Sequence, residues 1–551
     1  MGTGNEKHER QAAYSCICTR CGKRHSGDAL CFDLAPVMRK ILTPFANGSD
    51  QKTLLDKIFN EYENTHKGPA LYSERRLLAQ TLSLIQRSAG RRQGGLVIPL
   101  NGWKNLADHW RSKDTKLSEE EIQMWGEMLE QASEQYGPAI WKIPVDYHKI
   151  GDGATQINMV QACEVNMDIR YCPHCGEAMS FWSGKFPELV LTVIGGPRMT
   201  KSTTLAACAS FFQEHGESCG ITWQGEETDC TWKNFKKKCL DPYNQNQQVE
   251  PTRNDNREAI PRFSARITVQ GVEGMPKQDL VLTVVDLPGE IDANSENDGL
   301  RLGDKIYKDY QELYSNVDCV WYCTDQAELE QLDIDASGEA MAKKRMVLGC
   351  ETGRGLLRTS ERIEKFVRYA ELFQKDIPVV FLLGKSDCYR DEIDDQDLYQ
   401  KNYELSKCSW LELPAGSSPV LCGRAYHTKV LFLRKFLMER NAELVNGFEG
   451  AFTARTYIAV SSYGHPVPDG DTGQKPREPY QTELPFLWML AVKGYLMVKD
   501  QNEEYYANKD RLTWKRLCLY GARLKTYGSV TQKKRNWRRK LFGKPASKSQ
   551  A

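Results

Sequence analysis

The sequence predicts an α/β fold, in which a sheet carries helices on both faces, preceded by an N-terminal module held together by cysteines. Two observations lead to this prediction. From Glu188 onward, short apolar runs of the kind that form strands buried on both faces alternate with helical segments. Before that point, two C-x-x-C pairs, Cys18/Cys21 and Cys172/Cys175, are widely separated in the chain.

Composition and charge narrow the class of protein. The 551 residues include 74 Lys+Arg and 73 Asp+Glu, so net charge gives no argument for a nucleic-acid or membrane partner of the whole molecule. Hydrophobic content of 40% with 27% charged residues is typical of a folded globular protein. Because no apolar run reaches about eighteen residues, we expect no membrane span. Cysteines scattered through apparent strands and helices favour reduced thiols and a cytoplasmic location.

The two C-x-x-C pairs indicate a structural metal site. Each pair is followed directly by a glycine, which permits a tight turn around a metal. Together Cys18, Cys21, Cys172 and Cys175 supply the four thiolates that a tetrahedral Zn²⁺ needs, with no open position for catalysis. Two unrelated surface turns, or a redox pair, are the alternatives, although neither flank has the strand and helix typical of a thioredoxin-like motif.

These pairs also set domain boundaries for the first third of the chain. Residues 1–31 and 166–186 are predicted to form a split zinc ribbon. Residues 32–165, between its halves, are predicted to be a mainly helical insertion. Within that insertion, Ser118 and Glu121 form the pattern of a capping box, which indicates a helix start.

A glycine-rich turn follows the apolar run that ends at Ile194. It resembles the phosphate-binding pattern G-x-x-x-x-G-K-S/T, except that Thr200 replaces the second glycine. The alternative is an ordinary strand-to-helix turn. In the functional interpretation, N–H groups at the helix start bind an anion, Lys201 reaches the outer phosphates and Ser202 binds Mg²⁺. The nucleotide-binding residues predicted here are Gly195, Gly196, Pro197, Arg198, Met199, Thr200, Lys201, Ser202 and Thr203.

A second motif, D-x-x-G, comes at the end of a later apolar run. It consists of Asp286 and Gly289 and would lie at the carboxyl edge of the sheet, where doubly wound sheets bind ligands. Asp286 is predicted to hold Mg²⁺ through water. The amide of Gly289 can approach a γ-phosphate because no Cβ is in the way.

Two further segments predict selectivity for guanine. Lys385 and Asp387 lie in G-K-S-D, which resembles the guanine motif N/T-K-x-D. Asp387 would accept hydrogen bonds from the N1–H and 2-amino groups of guanine, which adenine does not offer. Lys385 would lay its stem over the base. Ser461 and Ser462 follow another apolar run, where a backbone N–H can meet the guanine O6.

Four motifs in this order, each after an apolar strand, predict a nucleotide-binding domain of the P-loop GTPase type at 187–500. The chain resembles the translation-factor-related (TRAFAC) class of P-loop GTPases. Within that class it looks most like the prokaryotic double-GTPase families, through DLPGE and the E-x-P-x-x-W-x-L pattern from Glu483 to Leu490. The resemblance implies GTP/GDP and Mg²⁺ as ligands, and a switch role in prokaryotic conflict, antiviral defence or signalling.

The residues for hydrolysis are harder to place. The predicted catalytic residues are Lys201, Glu290 and Thr252. Glu290 follows Gly289, the position at which Ras-like enzymes carry the glutamine that positions the attacking water. A glutamate can orient water or act as a base, but its charge opposes a γ-phosphate. Thr252 is predicted as the Mg²⁺-binding threonine of the first switch, with Thr228 and Thr231 as alternatives. We therefore expect slow or partner-stimulated hydrolysis, with an unidentified protein partner.

The C-terminal end is strongly basic. After a predicted helical segment at 501–530, the tail 531–551 holds six Lys or Arg among the eight residues from Lys533 to Lys540, around Trp537. Such a cluster can bind the phosphate backbone of a nucleic acid, whereas a solvated, disordered tail is the alternative. Two other functions therefore stay open beside the GTPase switch, a nucleotide-binding scaffold without useful turnover and a zinc-ribbon adaptor that binds nucleic acid.

Overall fold

The structure of the chain is a computed structural model. The structure describes residues 14–27, 30–32, 39, 42–57, 91–92, 95–99, 118–136, 140–150, 154–160, 165–166, 170–175, 177–196, 200–227, 229–249, 262–270, 278–286, 311–329, 359–373, 376–389, 411–412, 420–465, 476–500 and 503–506. The chain divides into two compact units. The first comprises Met1–Glu188, Glu226–Asp229 and Lys308–Asn316, and the second comprises Leu189–Gly225, Cys230–Tyr307 and Val317–Ala551.

The described part of the first unit contains three antiparallel sheets and one long helix. A two-stranded sheet pairs β1 (Ser15–Ile17) with β2 (Arg24–Ser26). A three-stranded sheet is formed by β3 (Cys31–Phe32), β9 (Arg170–Tyr171) and β10 (Ala178–Met179). A five-stranded sheet is formed by β4 (Arg91–Arg92), β5 (Gly95–Pro99), β6 (Ile140–Ile150), β7 (Ala154–Val160) and β8 (Val165–Asn166). Helix α1 spans Glu119–Tyr136, a 3₁₀ turn spans Thr43–Phe45, and residues 49–57 are helical.

Helix α1 begins as predicted. The Ser118 amide donates to the Glu121 carboxylate at 2.7 Å, and the Glu121 amide donates to the Ser118 hydroxyl at 3.2 Å, which confirms the capping box. Trp125, Met128 and Leu129 are buried at helical spacing. The prediction of a mainly helical insertion did not include β4–β8, in which β5 pairs with the distant β6 and the other strands pair with their neighbours in sequence. Much of 32–165 lies outside the described residues.

The elements that follow in the chain build the second unit. Its strands are β11 (Glu188–Ile194), β12 (Ile221–Gln224), β13 (Arg262–Val269), β14 (Gln278–Asp286), β15 (Cys319–Thr324), β16 (Val379–Leu383), β17 (Leu411–Glu412), β18 (Val420–Cys422), β19 (Arg455–Ala459), β20 (Met497–Asp500) and β21 (Glu503–Tyr506). Its helices are α2 (Lys201–Cys219), α3 (Cys230–Phe235), α4 (Asp241–Asn244), α5 (Gln326–Leu329), α6 (Thr359–Leu372), α7 (Gly423–Arg440), α8 (Ala442–Ala451) and α9 (Leu484–Val492). A π-helical turn spans Lys236–Leu240 and a 3₁₀ turn spans Ser386–Tyr389.

The main sheet has seven strands in the order β12-β13-β14-β11-β15-β16-β19. Strands β11, β15, β16 and β19 run parallel, whereas β13 pairs antiparallel with both β12 and β14. The chain fills one side of β11 with β12–β14 before it crosses to β15 on the other side. In such doubly wound sheets, ligands bind at the carboxyl ends of the strands where the order reverses. The predicted mixed α/β fold with a largely parallel sheet is confirmed.

An aromatic row crosses three of the parallel strands. Tyr322, Phe381 and Tyr457 lie side by side in register, with neighbouring ring centroids 5.5 Å apart. Phe366 of α6 and Phe448 of α8 pack on this row, with Phe448 5.0 Å from Phe381. Every residue of β15 and β16 is buried, so side chains that point to either face of the sheet are covered, as expected for parallel strands.

A smaller sheet has the order β17-β18-β20-β21. Its last strand occupies Glu503–Tyr506, inside the segment 501–530 that we predicted to be helical. The prediction is wrong for these four residues, because they pair antiparallel with β20 and their tyrosines favour a strand. The rest of that segment and the basic tail lie outside the described residues. Within the described part of the chain, no helix combines the length and apolar character needed to cross a bilayer.

The aromatic row predicts a large effect of one truncation. Phe448→Ala should lower the free energy of unfolding by about 3–5 kcal/mol, since it removes a buried ring and leaves a cavity among well-packed neighbours. The matched control is Val367→Ala on α6, a residue that is 50% exposed. It should change stability by less than about 1 kcal/mol. Urea unfolding of both variants checks this, and equal losses would contradict the packing described.

Candidate functional site

The first two residues after β11 contact the amine of a buried lysine. Lys201 Nζ donates to the carbonyl oxygens of Gly195 at 2.9 Å and Gly196 at 2.8 Å. Gly195 has φ +142°, and a Cβ there would lie 2.4 Å from the carbonyl oxygen of Cys323, so only glycine fits. The predicted residues Pro197, Arg198 and Met199 lie outside the described residues.

Thr200 occupies a backbone conformation that favours glycine. Its φ is +58° and its ψ is +16°, and it caps the N-terminus of α2 without a side-chain hydrogen bond. Its carbonyl accepts from the Thr204 amide at 2.8 Å, so the helix begins normally. Its buried hydroxyl oxygen has no hydrogen-bond partner among the described residues. The replacement of glycine therefore preserves the helix start, with Ser202 and Thr203 in its first turn, but adds strain of about 1–2 kcal/mol.

The G-K-S-D segment follows β16 and holds two charged side chains. Lys385, at φ +51°, places its Nζ 3.4 Å from an oxygen of Asp325, which is buried just after β15. Asp387 accepts a hydrogen bond of 2.5 Å from the Ser461 hydroxyl. We did not predict Asp325 from the sequence. The sequence contains a feature that would have predicted it, because Asp325, like Asp286, is the first charged residue after an apolar run.

The segment Ser461–Tyr463, here called the base loop, links these parts. The hydroxyl oxygen of Ser462 lies 3.5 Å from that of Thr204 on α2, one turn after Lys201. The backbone of Ser461 pairs with Tyr480 in both directions, at 3.0 and 2.7 Å. Helix α2, the base loop and Asp387 are therefore connected by direct contacts. The sequence predicted that these segments share one nucleotide site, and that site and the ligand roles of its residues stay predictions.

Several predicted residues cannot be placed in this site. Asp286 is the last residue of β14, and nothing is described of its side chain. Gly289, Glu290 and Thr252 lie outside the described residues, and Thr231, an alternative to Thr252, lies within α3. The Mg²⁺ site assigned to Ser202, Thr252 and Asp286 therefore remains a prediction, as does the catalytic role of Glu290.

The first unit contains the predicted cysteine cluster. The four sulfur atoms of Cys18, Cys21, Cys172 and Cys175 lie within 4.8 Å of one another, and all four residues are buried. The Sγ atoms of Cys18 and Cys175 are 3.5 Å apart, and those of Cys21 and Cys172 are 3.7 Å apart. Zinc–sulfur bonds of about 2.3 Å in a tetrahedron give sulfur–sulfur distances of roughly 3.8 Å. The spacing and the donor set therefore fit a tetrahedral, thiolate-bound metal ion.

His25 lies next to the cluster. Its Nε2 lies 3.2 Å from the sulfur of Cys172. Burial lowers the pKa of His25, but hydrogen bonds with Cys172 and Cys21 outweigh it and raise the pKa to about 9. Hydrogen bonds with Cys175 and its other neighbours lower the pKa of the Cys172 thiol. Cys16, whose sulfur donates to the His25 carbonyl at 3.6 Å, lies outside the group of four.

Comparisons with known proteins give limited similarity. No family model matches the chain, and no curated protein matches it. Two solved structures of the S. cerevisiae Ski7 GTPase-like domain, one bound to GDP and inorganic phosphate and one bound to GTP, are similar at 13% identity, with TM-scores of 0.22 and 0.21. Each match covers 55% of this chain and 49% of the solved chain, so the chain spans about half of their length. Similarity at this level supports no conclusion about the ligands or residues of the site.

The strain at Thr200 leads to a measurable prediction. Thr200→Gly should raise the free energy of unfolding of the second unit by about 1 kcal/mol, because glycine adopts this φ without steric conflict. Thr200→Ala is the matched control. It also removes the hydroxyl but keeps the Cβ, so it should give a smaller gain. Urea unfolding distinguishes the two variants, and equal stability of both would mean that backbone strain is absent.

Proposed function

We propose that the chain binds GTP and GDP with Mg²⁺ at the carboxyl edge of its seven-stranded sheet and acts as a nucleotide-dependent switch. The proposal depends on one observation. Helix α2, which begins at Lys201, contacts the base loop through Thr204 and Ser462, and the base loop contacts Asp387 through Ser461, although the three come from distant parts of the sequence. This arrangement offers a cation and helix N–H groups for phosphates, and a carboxylate for a base.

Each group has a defined task in this proposal. Lys201 donates to phosphate oxygens, where donor and acceptor are both charged, beside or in place of its hydrogen bonds with the two carbonyls. Asp387, oriented by Ser461, accepts from the N1–H and 2-amino groups of guanine. Lys385, oriented by Asp325, lies with its aliphatic stem along the face of the base. Mg²⁺ would be held by Ser202, by Asp286 at the end of β14 through water, and by Thr252.

Hydrolysis is the second part of the proposal. Glu290 brings a negative charge toward the γ-phosphate, so we expect turnover to be slow unless a protein partner or a second copy supplies a compensating cation. A scaffold that binds nucleotide without useful turnover is the alternative, favoured by the strain that Thr200 adds to the loop. Single-turnover phosphate release separates the two. The TRAFAC subclass and the role in prokaryotic conflict or defence rest on the sequence resemblance.

We also propose that Cys18, Cys21, Cys172 and Cys175 bind one structural Zn²⁺. The spacing of the sulfurs supports a tetrahedral ion, and four protein ligands leave no position for a substrate. A zinc ion would supply the positive charge that lets these buried thiols ionise together. His25 would not bind the zinc itself but would form a hydrogen bond with the sulfur of Cys172 and so orient this ligand.

Nucleotide binding tests the first proposal. The purified chain should bind a fluorescent GTP analogue far more tightly than the matching ATP analogue, and Lys201→Ala should reduce binding of GTP by at least about 100-fold, since a buried charge-assisted contact is lost. Lys435→Ala, which changes an exposed lysine of α7, is the control and should leave binding unchanged. Equal affinities for the two nucleotides would remove the guanine assignment.

Metal analysis tests the second proposal. Elemental analysis of the natively purified chain should give one zinc per chain, and Cys172→Ser should abolish it because serine does not supply a thiolate. Cys16→Ser is the matched control, as a buried neighbour outside the group of four, and should retain the zinc. Loss of zinc in both variants, or none in the unchanged chain, would contradict the ligand set.

A further inference from the structure

A tyrosine from outside the predicted motifs holds the base loop. Tyr243, in the short helix α4, donates from its hydroxyl to the carbonyl oxygen of Ser462 at 2.6 Å. The two residues are 219 positions apart in the sequence, and the bond is buried. Burial raises the pKa of the Tyr243 hydroxyl well above its usual value, so the hydroxyl stays protonated and remains a donor at neutral pH.

The ring of Tyr243 is itself fixed in place. Arg477 stacks its guanidinium over the ring at 4.4 Å from the centroid, and it also contacts the side-chain oxygen of Asn244 at 3.3 Å. The centroid of the Tyr463 ring lies 5.5 Å from that of Tyr243, and the Tyr463 hydroxyl donates to the Gln247 carbonyl at 3.0 Å. Because Tyr243 is fully buried and enclosed in this way, its hydroxyl has little freedom to leave the Ser462 carbonyl.

This contact determines the orientation of a peptide group in the base loop. A peptide unit is planar and trans, so holding the Ser462 carbonyl on one side directs the Tyr463 N–H to the opposite side. The neighbouring side chains are also held, Ser461 by Asp387 and Ser462 by Thr204. In the function proposed above, backbone N–H groups of this loop meet the guanine O6, so their direction decides which base is accepted.

We propose that Tyr243 is a positioning residue that sets the guanine selectivity of the site, an inference that rests on the proposed function. The hydroxyl does not touch the nucleotide and acts through the Ser462 peptide. Loss of the hydroxyl frees that peptide to rotate and leaves its carbonyl without the buried donor. The residues that bind the phosphates, Lys201 and its loop, keep their contacts.

Tyr243→Phe tests this inference, because phenylalanine preserves the ring against Arg477 and removes only the hydroxyl. In the full-length protein, the affinity for a fluorescent GTP analogue should fall about 2- to 10-fold, the effect of one neutral hydrogen bond, while that for the ATP analogue stays unchanged. The GTP-to-ATP ratio should therefore fall by the same factor. Inorganic tripolyphosphate, used as a competitor, should bind equally to both proteins.

Tyr457→Phe is the matched control. It also removes a buried tyrosine hydroxyl, which belongs to β19 and donates to Glu449 of α8 at 3.1 Å rather than to the base loop. It should reduce stability without changing the GTP-to-ATP ratio. An unchanged ratio in Tyr243→Phe, or an equal loss of both nucleotides, would overturn the inference while leaving the proposed function intact. A wild-type chain without preference for GTP would overturn the proposed function and this inference with it.

Discussion

The candidate nucleotide site depends on one constraint, the shared end of four parallel strands. Both faces of these strands, β11, β15, β16 and β19, are buried. Polar side chains that bind a ligand are therefore expected mainly where the strands end. Gly195, Asp325, Asp387 and Ser461 follow these strand ends, within four residues of each. Because the four strands are parallel neighbours, these residues lie at one edge of the sheet although they are far apart in the sequence. The chemistry of the site is therefore a consequence of strand direction.

The turns that leave this edge share a second property. Gly195, Thr200 and Lys385 all have positive φ, which most side chains disfavour, so the backbone curls tightly just beyond the sheet. Contacts of the two lysines offset this strain. Lys201 binds the carbonyls inside its own turn, and Lys385 pairs with Asp325. The turns are thus stabilised by the same cations that the proposed function assigns to the nucleotide.

The sequence predicted the features whose signals are local. Apolar runs followed by turn residues were sufficient to predict β11 and β16, and the C-x-x-C pairs were sufficient to predict the sulfur cluster. The capping box at Ser118 is local too. The role of Tyr243 was beyond such reasoning, because its contact with Ser462 joins segments 219 residues apart and neither segment signals the other. In the five-stranded sheet of the first unit, only the pairing of β5 with β6 is of this kind, and the neighbouring pairs β4–β5, β6–β7 and β7–β8 were missed although they are local.

The position of Lys201 affects how nucleotide binding has to be understood. Its ammonium is buried and donates to two carbonyls of the loop that would surround the phosphates. The lysine therefore stabilises the backbone of the loop and also gives the loop a positive charge. The ammonium has three N–H donors and the carbonyls take two, so a phosphate oxygen either accepts from the third or displaces a carbonyl. Displacement gains less than the full strength of a new ion pair, because the hydrogen bond to the carbonyl already has a charged donor. In the proposed function, affinity also draws on the helix N–H groups and on the base contacts, which depend on the orientation of the base loop.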